Sequence, residues 1–414
     1  MEYPLKLNSS ETEVEPYLMA VQIVKQLSQH GHTTYMAGGC VRDWLLGRNP
    51  EDIDLATSAP AELVCSLFEK TVRTGMQFES VRVIEQGHSI EVSSFRSDGL
   101  YLDGRRPTSI RPASACEDAQ RRDFTINGLF YCPLSQTVFD YVNGSDDLKK
   151  RILRTIGDPL IRFNEDRLRL IRAIRLACKL QFKIGDETYQ AITKLSHTVQ
   201  SVSKERIHDE LTKICSQPLA EEAFSLLVQT QLLEKIFQGC VDPPIKFDLA
   251  EAKSPFSFWP ICWKILSKET GILTSDMIQK SAENLCLSKY EKQALAFAGR
   301  FGQALKKDPD LSQISTWCRL VASPFYEELK IFLQKEQVEI LNKIAISKEI
   351  FIKKLQTCRY LISGESLQKL GIQGPLIGEL LEKATDLAIE ENYLEEDKIL
   401  NLLHKKGWIN NFIC

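Results

Sequence analysis

Apolar residues recur at helical spacing between residues 15 and 31, with Val21, Ile23, Val24 and Leu27 as core positions and Gly31 as the stop. The run Tyr35-Met36-Ala37 predicts a strand leading into Gly38-Gly39. A helix follows from about Val41 to Leu46, Asn49-Pro50 makes a turn, and a second strand carries Asp52 and Asp54 around Ile53 and Leu55. Successive side chains of a strand point to opposite faces, so Asp52 and Asp54 project together while Ile53 and Leu55 enter the core. Residues 60–70 predict another helix, and 80–85 and 89–96 are β-rich runs parted by Gln86-Gly87-His88, the pattern of a hairpin. Glu91 lies between Ile90 and Val92. An acid there is costly unless paired, or else it faces water from an edge strand.

Residues 98–112, DGLYLDGRRPTSIRP, read as a mobile loop hinged at its two Asp-Gly pairs. Residues 140–147 form a turn, and Asp158-Pro159 supply a helix cap and first position. Asn164 is the candidate cap of a helix from Glu165 to about Leu180, with Leu170, Ile174 and Ala177 as its buried stripe. Residues 203–211, SKERIHDEL, continue the helical pattern, with His208 in a structural role. Past residue 220 the chain is helical and poor in motifs. Trp259, Trp263, Trp317, Phe325 and Phe332 are expected to pack in cores, and Pro243-Pro244 and Ser254-Pro255 mark joints.

At 414 residues the chain exceeds one ordinary core, and 43% apolar with 26% charged residues is ordinary for a soluble protein. The polar, acidic start lacks the features of a signal peptide, and no apolar run is long enough to span a membrane. The twelve cysteines are scattered without a Cys-x-x-Cys, so they read as reduced thiols of a cytoplasmic protein. Net charge is only −3, but residues 149–183 hold eleven Lys/Arg against three acids, while 365–398 hold nine acids against three lysines. That local basic cluster is what a phosphate backbone would respond to.

Two carboxylates held about 4 Å apart repel by about 4 kcal/mol at an effective dielectric near 20, so Asp52 and Asp54 call for a cation or a proton. A hard divalent cation such as Mg2+ suits them, with water and substrate phosphate as its other ligands. Gly38 and Gly39 lack Cβ atoms and would let backbone approach an anion. Downstream, DAQRRDFTINGL sets Arg121, Arg122 and Asp123 together, guanidiniums for phosphate oxygens and a carboxylate for a ribose hydroxyl. On the helix expected from Glu165, Asp166 and Arg169 would be neighbours, with Glu165 steadying Arg169. An acceptor beside a guanidinium can address the pairing edge of a base, although a salt-bridged acidic first turn explains the same residues.

The ordered combination of YMAGGCVRDWLLGRNPEDIDLAT, RRDFTIN and Glu-Asp-x-x-Arg resembles the class II tRNA nucleotidyltransferases, the CCA-adding enzymes, and the bacterial poly(A) polymerases. It is strong over residues 35–211 and weaker over 360–403, where the usual Lys-Pro-Gly-Pro is reduced to Gln373-Gly374-Pro375. The resemblance implies an α+β fold: a mixed-sheet head over residues 1–148, then an all-α neck (149–220), body (221–355) and tail (356–414). It implies that Asp52 and Asp54, with Glu91 assisting, hold two Mg2+ that activate an RNA 3′-OH against the α-phosphorus. Gly38, Gly39 and Arg42 would contact the triphosphate, and Arg122, Asp123 and Asn127 the nucleotide. Glu165, Asp166 and Arg169 would choose CTP and ATP without a template, and Arg172, Arg175 and Lys179 would grip tRNA. The loop at 98–112 disfavours a CC-only enzyme. A poly(A) polymerase with the same head, with nucleotide choice left open by the unusual TGMQFESVRV, is the alternative; a catalytically silent RNA-binding protein is a third reading.

Overall fold

The computed structural model describes residues 1–74, 80–85, 87–101, 103–237, 286–330, 333 and 335–409. The chain divides into two compact units, Met1–Pro244 and Ile245–Cys414. Trp259, Trp263, Phe332, Pro243-Pro244 and Ser254-Pro255 lie outside the described residues.

The first unit is built on an eight-stranded mixed sheet. Its strands are β1 (Glu2–Pro4), β2 (Thr34–Ala37), β3 (Asp54–Thr57), β4 (Thr71–Thr74), β5 (Ser80–Glu85), β6 (His88–Ser94), β9 (Leu129–Cys132) and β10 (Thr137–Asp140); β7 (Arg96–Asp98) and β8 (Ile110–Pro112) form a separate ribbon. Strand order is β1-β10-β9-β2-β3-β6-β5-β4, with β3 and β6 parallel and the other pairs antiparallel. The expected hairpin is β5–β6, in register from Ser80↔Ser93 to Glu85↔His88. Leu55, Val81, Val83, Ile90 and Val92 are all buried on one face of this half of the sheet. After the short helix α1 (Ser9–Thr12), α2 (Glu15–Gln29) buries Ile23, Val24 and Leu27 and packs against β2 and β6. Each fully buried aliphatic side chain contributes roughly 1.5–3 kcal/mol relative to exposure.

Asp52 falls just outside the strand expected to carry it, because β3 begins at Asp54, paired with Ala37, the last residue of β2. At Gly38 the backbone turns away with φ +77°, so Asp52 has no partner strand. The alternation nevertheless holds, with Ile53 and Leu55 buried and Asp52 and Asp54 exposed. The stretch 98–112, expected as a mobile loop, is closed by β7–β8 and by backbone bonds such as Thr108 N to Leu100 O at 2.7 Å. Cross-strand pairing had been masked there by the density of turn residues.

The helix expected from Glu165 to Leu180 begins only at Arg169, and Glu165 instead ends a separate short helix. Asp158 caps α7 (Pro159–Glu165) by accepting from Leu160 N at 2.7 Å, as the Asp-Pro signal predicts. Asn164 caps nothing: it lies inside α7 and donates to Leu160 O. Asp166 then adopts an extended backbone, and α8 (Arg169–Leu180) starts after it. The Asp166 carboxylate accepts from Leu168 N and from Arg206, a local competition that breaks the helix. Between these elements lie α3 (Gly39–Leu45), α4 (Ala61–Leu67), α5 (Ala115–Arg121) and α6 (Gly144–Lys150); after α8 come α9 (Asp186–Leu195), α10 (Lys204–Cys215), α11 (Ala220–Gln229) and α12 (Leu232–Phe237). The buried stripe of α8 includes Leu170, Ile174 and Ala177 and packs on α10 and α11.

The second unit is helical throughout its described residues. Trp317 is fully buried in its core, with Nε1 donating to Asp308 at 2.7 Å, while Phe325 packs at the core's edge. Gly374 and Pro375 open the helix Pro375–Glu391, the glycine at φ +67°. Among the described residues no helix is long and apolar enough to cross a membrane.

Candidate active site

Asp54 and Glu91 are direct register partners across β3 and β6, so their side chains share the open face of the sheet. The edge-strand reading of Glu91 fails, because β6 is paired on both sides. Asp54 is open to the cleft yet surrounded by protein; burial, then the charges of Glu91 and Asp52, push its carboxyl up to about 6, with Arg122 opposing. Among the described residues no three acidic, His or Cys side chains come together so as to hold a metal ion by themselves. An open arrangement of one or two carboxylates is what a Mg2+-like ion uses when water and phosphate complete its shell. The crowded, unpaired acids therefore fit a hard divalent cation.

Gly38 supplies space. Its own amide is engaged by Leu129 O at 3.1 Å, and a Cβ there would lie 3.2 Å from Arg122 Nη1. Arg42, on α3, is buried and braced: it holds Asp43 at 2.8 Å and donates to Asn127 Oδ1 at 2.8 Å. Arg122 stacks over the Phe130 ring at 5.0 Å and donates to Asp118 Oδ2 through Nε and Nη2 at 3.1 and 3.0 Å. Arg121 makes the same kind of fork to Asp118 Oδ1. Asp123 accepts from Phe124 N, Asn127 Nδ2 and Arg172 Nη2 at 2.8, 3.1 and 2.9 Å. Burial would raise its carboxyl, but Arg172, Asn127 and Arg169 outweigh that and hold it at about 2.

Asp166 and Arg169 do not pair with each other, since the helix they were expected to share begins only at Arg169. Glu165 does steady Arg169, at 2.8 Å, and also takes Arg162 at 2.7 Å. Arg206 from α10 holds Asp166 at 2.9 Å. Of the three basic residues expected to grip RNA, Arg172 pairs with Asp123, Arg175 with Glu210 and Lys179 with Glu51. A cleft of about 960 Å³ brings all the expected site residues onto its wall except Glu91 and Glu165.

Three residues escaped the sequence reading. Asp118 had a signal, three and four residues before Arg121 and Arg122 on one helix. Glu210 had one too, sharing the apolar stripe of Ile207, Leu211 and Ile214, where an acid is unexpected. Arg206 had none.

Residues 34–154 match the model of the poly A polymerase head domain, and 181–242 that of a probable RNA- and SrmB-binding site of polymerase A. A CCA-adding enzyme of Anoxybacillus flavithermus is 43% identical over 219 residues, a match that spans 53% of this chain and 55%, about half, of that relative. The CCA-adding enzyme of Levilactobacillus brevis is 31% identical over 385 residues, 89% of this chain and 92% of that one. The crystal structure of the Bacillus stearothermophilus CCA-adding enzyme in complex with CTP superposes with a TM-score of 0.74 at 25% identity, covering 95% of this chain and 98% of that chain. With the expected α+β architecture present and a relative matched over nearly its whole length, the chain belongs to the family of CCA-adding enzymes.

Proposed function

We propose that the protein is a template-independent CCA-adding tRNA nucleotidyltransferase, using CTP and ATP at the tRNA 3′ end. The observation that carries this reading is that Asp166 and Arg169, each fixed by its own partner, line the same cleft as Asp54 and Asp123. Cytosine and adenine both present an amino donor beside a ring-nitrogen acceptor on their pairing edges. A carboxylate that accepts and a guanidinium that donates suit both bases and reject uracil and guanine, whose edges have the opposite polarity.

The other roles follow the geometry. Asp52 and Asp54, with Glu91 beside them, would hold Mg2+, which when bound lowers the pKa of the attacking hydroxyl and neutralises phosphate charge. Gly38 and Gly39 leave room for the triphosphate next to Arg122, whose guanidinium is pre-aimed by Asp118 and Phe130. Arg42 acts by fixing Asn127, whose Oδ1 keeps one acceptor site for the ribose, while Asp123 would have to exchange one of its present bonds to reach it. Arg172, Arg175 and Lys179 form the wall along which RNA would lie, and charge-neutralised as they are, they shape it more than they attract. The division into head (1–148), neck (149–220), body (221–355) and tail (356–414) belongs to the same reading, and a tRNA substrate favours a cytoplasmic setting.

The test is incubation of purified protein with Mg2+, tRNA ending before CCA, and each labelled nucleoside triphosphate separately and together. Ordered addition of C, C and A, with no use of UTP or GTP, is expected. Long A tails on unstructured RNA would make it a poly(A) polymerase, and no incorporation would leave an RNA-binding protein.

A further inference from the structure

Across the open face of the sheet, Asp54 is in register with Glu91, and Glu91 with Arg82 on β5. Arg82 is exposed between Val81 and Val83, which are buried on the opposite face. It therefore stands on the carboxylate face, two strand spacings from Asp54, or about 10 Å. Among the described residues no acid comes within ion-pair distance of it, whereas Arg122, Arg169, Arg172, Arg175 and Arg206 in the cleft all have one.

The nucleotide groups lie on the other side of Asp54. Gly38 follows β2 and bonds to β9, Arg122 stacks on Phe130 of β9, and Asn127 lies two residues before that strand. Phosphoryl transfer places the attacking and leaving oxygens roughly in line about the phosphorus. With the triphosphate on the β2–β9 side, the hydroxyl must come from the β6–β5 side, past Glu91 and Arg82. We propose that Arg82 is a positioning residue that binds a backbone phosphate of the acceptor RNA strand near its 3′ end. A guanidinium offers a two-pronged donor set for phosphate oxygens, and this one has no competing carboxylate bond.

The inference rests on the transferase reading for the direction of approach, so it is tested first by binding. Fluorescence anisotropy with a labelled tRNA acceptor minihelix ending before CCA, across 50–200 mM salt, should show weaker binding by Arg82→Ala and Arg82→Gln at low salt. The slope of log affinity against log salt should be shallower by about 0.7–0.9, one phosphate contact, and Arg82→Lys should restore most of it. Urea midpoints of the three variants should match wild type. In the transfer assay KM for the minihelix should rise several-fold while KM for CTP stays within twofold. An unchanged salt slope, or an equal rise in KM for CTP, would overturn the proposal; the first would make Arg82 a counter-charge to Glu91, the second a triphosphate ligand. A wild-type protein that adds no nucleotide refutes the transferase reading while the salt slope still decides on Arg82.

Discussion

Asp118→Asn tests how the cleft arginines proposed to face phosphate are aimed. The Asp118 side chain is 1% exposed and takes four guanidinium hydrogen bonds, two each from Arg121 and Arg122, plus the backbone N–H of Arg96 at 3.3 Å. Burial alone would raise its carboxyl, but the two arginines hold it below the usual carboxylate range. Asparagine keeps the shape but offers one acceptor oxygen and an N–H₂ that points at a guanidinium. Removing one partner of a buried ion pair costs about 3–5 kcal/mol. Arg121 and Arg122 are each about a fifth exposed, at 19% and 20%, so water relieves part of the loss and about 3 kcal/mol is expected. Urea denaturation of the full chain should show the loss in the transition of the first unit. Arg122, left to share a single amide oxygen with Arg121, should bind triphosphate less well, raising KM for CTP and ATP by the same factor. A stability loss under about 1 kcal/mol with unchanged KM values would refute the reasoning.

Asp166→Ala should leave tRNA affinity within about twofold but erode C-over-U and A-over-G discrimination by tenfold or more, read by single-nucleotide incorporation; unchanged selectivity would reduce Asp166 to a helix-breaking turn residue. Asp123 predicts acid sensitivity: its carboxyl titrates at about 2 folded, against about 3.9 unfolded. The lowered value makes it stabilising, by about 2–3 kcal/mol, above pH 4, and that contribution is lost as pH falls from about 4 through 2. Wild type should therefore lose more stability than Asp123→Asn between pH 5 and 3 in urea titrations.

What could be read from the chain, and what could not, divides along the range of the interactions. Asp158-Pro159 announced its helix start because cap and φ restriction are local, and β5–β6 was legible because alternation along each run is local too. The placement of Glu91 beside Asp54 followed from period-two patterning once β6 was known to be interior. The break at Asp166 was only half legible, because its carboxylate is held by Leu168 N close by and also by Arg206, forty positions on. Glu165 and Arg169 have good helical propensity, but Asp166 between them is a weak helix former whose carboxylate bonds Leu168 N and Arg206 instead. Similarly, Arg42 looks like a phosphate ligand in sequence, yet Asn127, eighty-five positions away, claims one of its nitrogens.

The same pairing pattern supports the place proposed for a cation. Around the cleft, Asp118 answers Arg121 and Arg122, Asp123 and Glu210 answer Arg172 and Arg175, Glu165 answers Arg169, Asp166 answers Arg206, and Glu51 answers Lys179. Asp52, Asp54 and Glu91 stand in no ion pair among the described residues, and burial first, then that surplus of charge, raises the carboxyl of Asp54. Because its folded value lies above the unfolded one, Asp54 favours the fold only while protonated, and that contribution is gone once pH rises through about 6. At pH 8 and without divalent cation, Asp54→Asn should therefore be as stable as wild type or more so. Added Mg2+ should reverse the order: a ligand at a hundred times its Kd stabilises by about 2.7 kcal/mol, a gain the variant cannot make at this site. Thermal melts of both proteins with and without Mg2+ measure the crossover, and equal Mg2+ stabilisation of the variant would remove Asp54 from the metal site.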